Sequence, residues 1–133
     1  MDVLNSLTNP VKLIIAALAA LWLSLPTIFT ILIVVSLADI VSGVLAAAIS
    51  GRLSSDASLK GMAKKTMVFL LVGVSVALEN YPGVSSLGAP LSQLVAGFFV
   101  AHEALSLLEN AAEIGVPIPP FLRSALAKID GKE

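Results

Sequence analysis

Three stretches of this 133-residue chain carry no charge at all: Leu13 to Ala38, Thr66 to Leu78 and Asn80 to Ala101. A bilayer core about 30 Å thick is crossed by ~20 mainly apolar helical residues. A water-soluble domain of this size has too large a surface for its volume to bury so much apolar side chain. Hydrophobic residues make up 57% of the chain and charged residues 13%, against roughly 45–50% and about 25% in ordinary globular domains. The sequence therefore predicts an all-α, polytopic integral membrane protein with three to four transmembrane helices.

The same numbers exclude several function classes. A net charge of −1 gives no basic field for nucleic acid. Cysteine is absent, which removes disulfides, thiolate catalysis and thiolate-bound metal. The Ser-His-Asp, H-E-x-x-H and G-x-S-x-G patterns and a phosphate-cradling glycine loop are all missing. The single histidine, His102, has carboxylates near it in sequence but no second nitrogen or sulfur ligand, a poor basis for a metal site. No enzyme activity, cofactor or metal is expected.

Proline and glycine divide the apolar sequence into segments at about 12–23, 27–50, 59–80 and 91–114. Pro26 interrupts the first run, because proline breaks a helix hydrogen bond and clashes with the preceding turn. Ser24-Leu25-Pro26-Thr27 reads as a tight turn with Ser24 or Thr27 able to cap. One helix kinked at Pro26 is an alternative. Segment 12–23 is short for a span, and could cross with local thinning or lie in the interface with Trp22 at headgroup level. It reads as a retained segment rather than a cleaved leader, since Asp2 offsets Lys12 and no small-x-small site follows. Ser58 is a candidate cap for the third segment, and Gly115 with Pro117 stops the fourth. Residues 1–119 form the transmembrane helical domain and 120–133 a short amphipathic cytoplasmic tail.

Basic residues favour the cytoplasmic side. Arg52, Lys60, Lys64 and Lys65 form a basic loop, whose lysines can snorkel to the headgroups; Arg123, Lys128 and Lys132 lie in the tail, and the loop 81–90 has none. The pattern predicts an N-in, C-in protein if all four segments cross.

Polar residues inside the segments fall on stripes. Ser36, Asp39, Gly43, Ala46, Ala47 and Ser50 share about 100° of arc at helical spacing. His102, Glu103, Ser106, Glu109, Asn110 and Glu113 share about 120°. Small residues let helices approach closely, and intramembrane ionisable groups face protein or water rather than lipid. Asp39, Gly43, Ala47, His102, Glu103, Ser106, Glu109 and Asn110 are therefore the candidate pore or oligomer contacts. The plainer reading pairs Asp39 with a lysine of the basic loop and lets Glu109, Asn110 and Glu113 emerge into water. Glu79 reads as interfacial.

Several blocks also resemble a known family. Asp39-Ile40-Val41-Ser42-Gly43 resembles an aspartate-x-x-Ser/Thr-Gly signature. Gly51-Arg52-Leu53-Ser54-Ser55, with Lys60-Gly61 and Lys64-Lys65, resembles the cytoplasmic loop that follows it. His102-Glu103-x-Leu105-Ser106-Leu107-Leu108-Glu109-Asn110, closed by Gly115-Val116-Pro117-Ile118-Pro119, resembles the C-terminal block. In this order, over about Ala38 to Leu126, they resemble the toxin-secretion/phage-lysis holin family. The chain departs from that pattern in having Ser24-Leu25-Pro26 before the second segment and Ile40 where an aromatic is common. The resemblance implies a homo-oligomer in membrane lipid of the bacterial cytoplasmic membrane, whose lesions release an endolysin or a secreted toxin, with an antiholin as a further candidate partner. Two other classes fit the bare residues: a small four-helix ion or drug transporter using Asp39 or Glu103, and a membrane adaptor whose loop and tail bind a partner.

Overall fold

The computed structural model describes residues 9–85 and 90–130. Asp2, Lys132 and loop positions 86–89 lie outside the described residues. The elements are α1 (Pro10–Ser24), α2 (Thr27–Ile49), α3 (Ser55–Glu79), the single turn α4 (Pro82–Ser85), α5 (Leu91–Glu113) and α6 (Pro120–Asp130), with no strand among the described residues. The chain is all-α. Three helices, α2, α3 and α5, are long and apolar enough to cross a membrane. With 23, 25 and 23 residues, each is about 35 Å long or slightly more by helical rise. At 15 residues, α1 reaches only about 22 Å.

Local chemistry sets the breaks. Asn9 caps α1, its Oδ1 accepting from the Val11 amide at 3.0 Å, and Pro10 occupies the first helical position, where a missing N–H costs nothing. Leu25 is extended at φ −69°, ψ 138°, the conformation forced on a residue before proline. The break at Pro26 is thus complete, and the kinked-helix alternative does not hold. Neither Ser24 nor Thr27 caps α2. Ser24 Oγ instead donates to the Leu21 carbonyl at 2.7 Å, and Pro26 stands at the cap position without a side-chain bond. At α3 the cap is Ser54, whose Oγ accepts from the Ala57 amide. Ser58 lies inside the helix, which starts a full turn before the expected position.

Helices α2 and α5 end alike. Gly51 and Gly115 adopt φ 65° and 90°. Behind them the Arg52 amide reaches back to the Ala47 carbonyl and the Val116 amide to the Ala111 carbonyl, both at 2.9 Å. This is the Schellman termination, which needs a left-handed residue and so favours glycine.

Helix α5 is central: α2 and α3 each pack along it and scarcely touch one another, while α6 folds against it. Helices α2 and α5 run in parallel and α3 runs against both. Leu32, Val68, Val72 and Ala96 form the apolar core, with Phe29, Val95 and Phe99 against it. Outward positions such as Leu37, Val41, Leu70 and Leu94 are exposed, as a lipid-facing surface requires. Helix α1 buries none of its residues.

Candidate functional site: a buried ion cluster between three helices

The polar stripe of α2 turns inward. Ser36, Asp39 and Ala46 are buried, Gly43 is half-buried, and the stripe faces α5 within the same chain. Helix α5 answers with buried Glu103 and half-buried Asn110. The third component comes from α3. Lys65 Nζ donates to Asp39 Oδ2 at 2.8 Å and also bonds Glu103 Oε2. Asp39 is 8% exposed and Glu103 3%, so this is a three-way ion pair shielded from lipid.

Asn110 completes the cluster. Its Nδ2 donates to Asp39 Oδ1 at 2.8 Å and to Ser42 Oγ at 2.9 Å. Ser42 Oγ in turn donates to the Asp39 carbonyl at 3.0 Å. Both carboxylate oxygens of Asp39 are thereby satisfied, as a charge inside a low-dielectric bundle demands. Gly43 lies beside Asn110: a Cβ there would stand 3.5 Å from Asn110 Nδ2, in ordinary contact. One turn away, Ser36 Oγ is buried without a hydrogen-bond partner.

Two further ties join α5 to its neighbours, one at each end. At the basic end, Ser50 Oγ donates to Glu113 Oε1 at 2.7 Å, and Arg52 pairs with the same oxygen. The adjacent Schellman turns bring these groups together. At the far end, Glu79 accepts from the Ser92 amide at 3.1 Å and from Ser92 Oγ at 2.7 Å. Pro90 gives α5 no side-chain cap, so the carboxylate at the end of α3 caps α5 from outside. Glu79 is structural, not merely interfacial.

The sequence-derived candidates separate accordingly. Asp39, Glu103 and Asn110 meet in the cluster, with Gly43 beside it. Ser106 and Ala47, both half-buried, line a cleft of about 310 Å³ between α2 and α3 that has Asp39 and Lys65 in its wall. His102 is half-buried and Glu109 exposed. Of the basic set, Lys60 and Lys64 are exposed on the first turns of α3, and Arg52 holds Glu113. Lys65 is the exception: it does not extend to the headgroups but points into the bundle. Its signal was present, because Gly61, Lys65, Val68, Val72 and Ser75 share one α3 face at helical spacing, and the last three are buried. Among the described residues no three His, Asp or Glu side chains come together as a metal site.

Apolar helices of membrane-crossing length, with an ion cluster buried between them, define a small helical membrane protein. Residues 16–131 match the bacteriophage holin family, and the chain belongs to that family. A Clostridium perfringens protein is 37% identical over 106 residues, covering 79% of this chain and 76% of its own. A Listeria monocytogenes protein is 31% identical over 102 residues, covering 77% and 71%. A probable holin of Bacillus phage phi105 is 32% identical over 100 residues, covering 75% and 72%. No solved structure matches.

Proposed function

We propose that this protein is a non-enzymatic holin. It accumulates in the bacterial cytoplasmic membrane, oligomerises, and forms lesions through which an endolysin or toxin is released. Family membership supports the role. The structural observation that carries it is the burial of the Asp39–Lys65–Glu103 ion cluster between the three long helices. A single copy so folded shows lipid an apolar exterior and is harmless to the bilayer. The same side chains could line water after the helices rearrange. The basic end, bearing exposed Lys60 and Lys64, is placed on the cytoplasmic side by the positive-inside rule. With α2, α3 and α5 crossing, residue 27 then starts on the outer face. The N-terminus is cytoplasmic only if α1 crosses as well.

The test is induced expression in a bacterial host, with and without a co-expressed cytosolic endolysin, following culture density and membrane potential. The expected result is abrupt depolarisation after a defined delay, with lysis only when the endolysin is present. Continued growth at full potential would sink the proposal and favour a transporter or adaptor.

A further inference from the structure

We propose that Lys65 is the bolt of a latch that keeps α3 closed on α2 and α5, and that withdrawing it is the step that opens the bundle. This rests on the holin reading for its biological meaning, but the latch is a property of the fold and can be tested without lysis.

Four observations carry it. First, α2 and α3 scarcely touch directly. Across the gap between them lies the cleft of about 310 Å³, so packing does little to hold them together on that side. Second, Lys65 bridges the gap, bonding Asp39 on α2 and Glu103 on α5 at once. One side chain thus ties α3 to both neighbours. Third, the bridge is buried, with side-chain exposures of 14%, 11% and 4% for Lys65, Asp39 and Glu103. Removing the cation leaves two carboxylates facing each other in a low-dielectric interior, which is far more unfavourable than losing a solvated pair. Fourth, the cleft wall, though mostly apolar, also carries Ser54, Ser58 and Ser106. Water can enter there and solvate the freed charges once α3 moves. The bundle is therefore bistable by construction: closed while Lys65 is seated, and driven apart by its own carboxylates when it is not.

The chain has no cysteine, so two labels can be placed cleanly. Ala63→Cys on α3 and Glu109→Cys on α5, both exposed, take spin labels in the full chain reconstituted in lipid nanodiscs, where pulsed electron resonance reads their separation. Lys65→Met is expected to lengthen it by roughly 5 Å or more, the scale of a helix shift of one turn. In cells the same variant is expected to bring lysis onset roughly twofold earlier, because an unpaired buried charge destabilises the closed state. The triple variant Asp39→Asn, Lys65→Met, Glu103→Gln removes the charges together and is expected to return the separation to the wild-type value.

An unchanged separation in Lys65→Met overturns the latch, whatever lysis does. A triple variant as wide as Lys65→Met also overturns it, since shape rather than charge would then hold α3. Should Lys65→Met fail to insert, Glu103→Gln takes its place. It keeps the Asp39 pair, so a smaller widening supports the latch and no widening overturns it. Widening with no lysis from any variant or from the wild type leaves the latch standing and removes the holin reading instead.

Discussion

The two halves of the helix bundle are held by different physics. Towards the far end, Leu32, Val68, Val72 and Ala96 pack as a small apolar core. Towards the basic end, Asp39, Lys65, Glu103 and Asn110 hold the same three helices by charge and hydrogen bonds. In a bilayer the lipid tails are as apolar as leucine, so apolar burial gives helices little reason to prefer one another over lipid. Apart from the Glu79–Ser92 tie at its tip, the far half therefore depends on close fit, which is non-directional and tolerant. The basic half depends on partners whose loss exposes a charge. The comparison teaches that stability here is spread along α5, whereas specificity is concentrated in one half.

Breaking that asymmetry is most direct at Asp39. Asp39→Ala removes the α2 partner of Lys65 and the main acceptor of Asn110 together. Breaking a buried pair by deleting one member costs about 3–5 kcal/mol, read as a lower midpoint in unfolding by denaturing detergent from mild micelles. A midpoint unchanged from wild type would show that the cluster holds nothing in place.

Leu32→Ala probes the other half. Leu32 is 1% exposed, and truncating it opens a cavity against α3 and α5. Such truncations cost about 2–5 kcal/mol in water-soluble cores. The low end, about 2 kcal/mol, is expected here, because lipid supplies no transfer penalty and only lost packing remains. In the same detergent titration its effect should fall below that of Asp39→Ala. The reverse order would place the specificity in the apolar half.

How much of this was legible follows from the same division. The spans were readable because charge-free runs and helical periodicity are local. So was the inward polar face of α2, since Ser36, Asp39, Gly43 and Ala46 repeat at helical spacing. The pairing of Asp39 with a lysine of the basic loop was readable too, and Lys65 makes it; which lysine, and that it also holds Glu103, was hidden by Lys60 and Lys64 beside it. Only the register of Lys65 with Gly61, Val68 and Val72 separates it from them. Glu79 was hidden for another reason. Its partner Ser92 lies across the intervening loop, and a cap donated by a neighbouring helix leaves no trace in the sequence around it. The missed cap at Ser54 is smaller in kind, one of two serines a turn apart that both suit the position.

Gly43 offers the finest test of whether the small-residue stripe serves this chain or a second copy. Within the chain, a Cβ at Gly43 meets Asn110 Nδ2 at 3.5 Å and Cγ at 4.0 Å, which is ordinary contact. Alanine also favours the helix interior over glycine by about 0.5–1 kcal/mol. Gly43→Ala is therefore expected to change the unfolding midpoint little, with the propensity gain and the slight crowding of Asn110 offsetting to within about 0.5 kcal/mol. If Gly43 acts only inside the protomer, chemical cross-linking in membranes should show the same ladder of oligomers for variant and wild type. A shorter ladder at unchanged protomer stability would mean that another helix approaches Gly43 from outside, through the cleft that Ala47 and Gly61 also line. The basic half would then set the fit between copies as well as the fit within one.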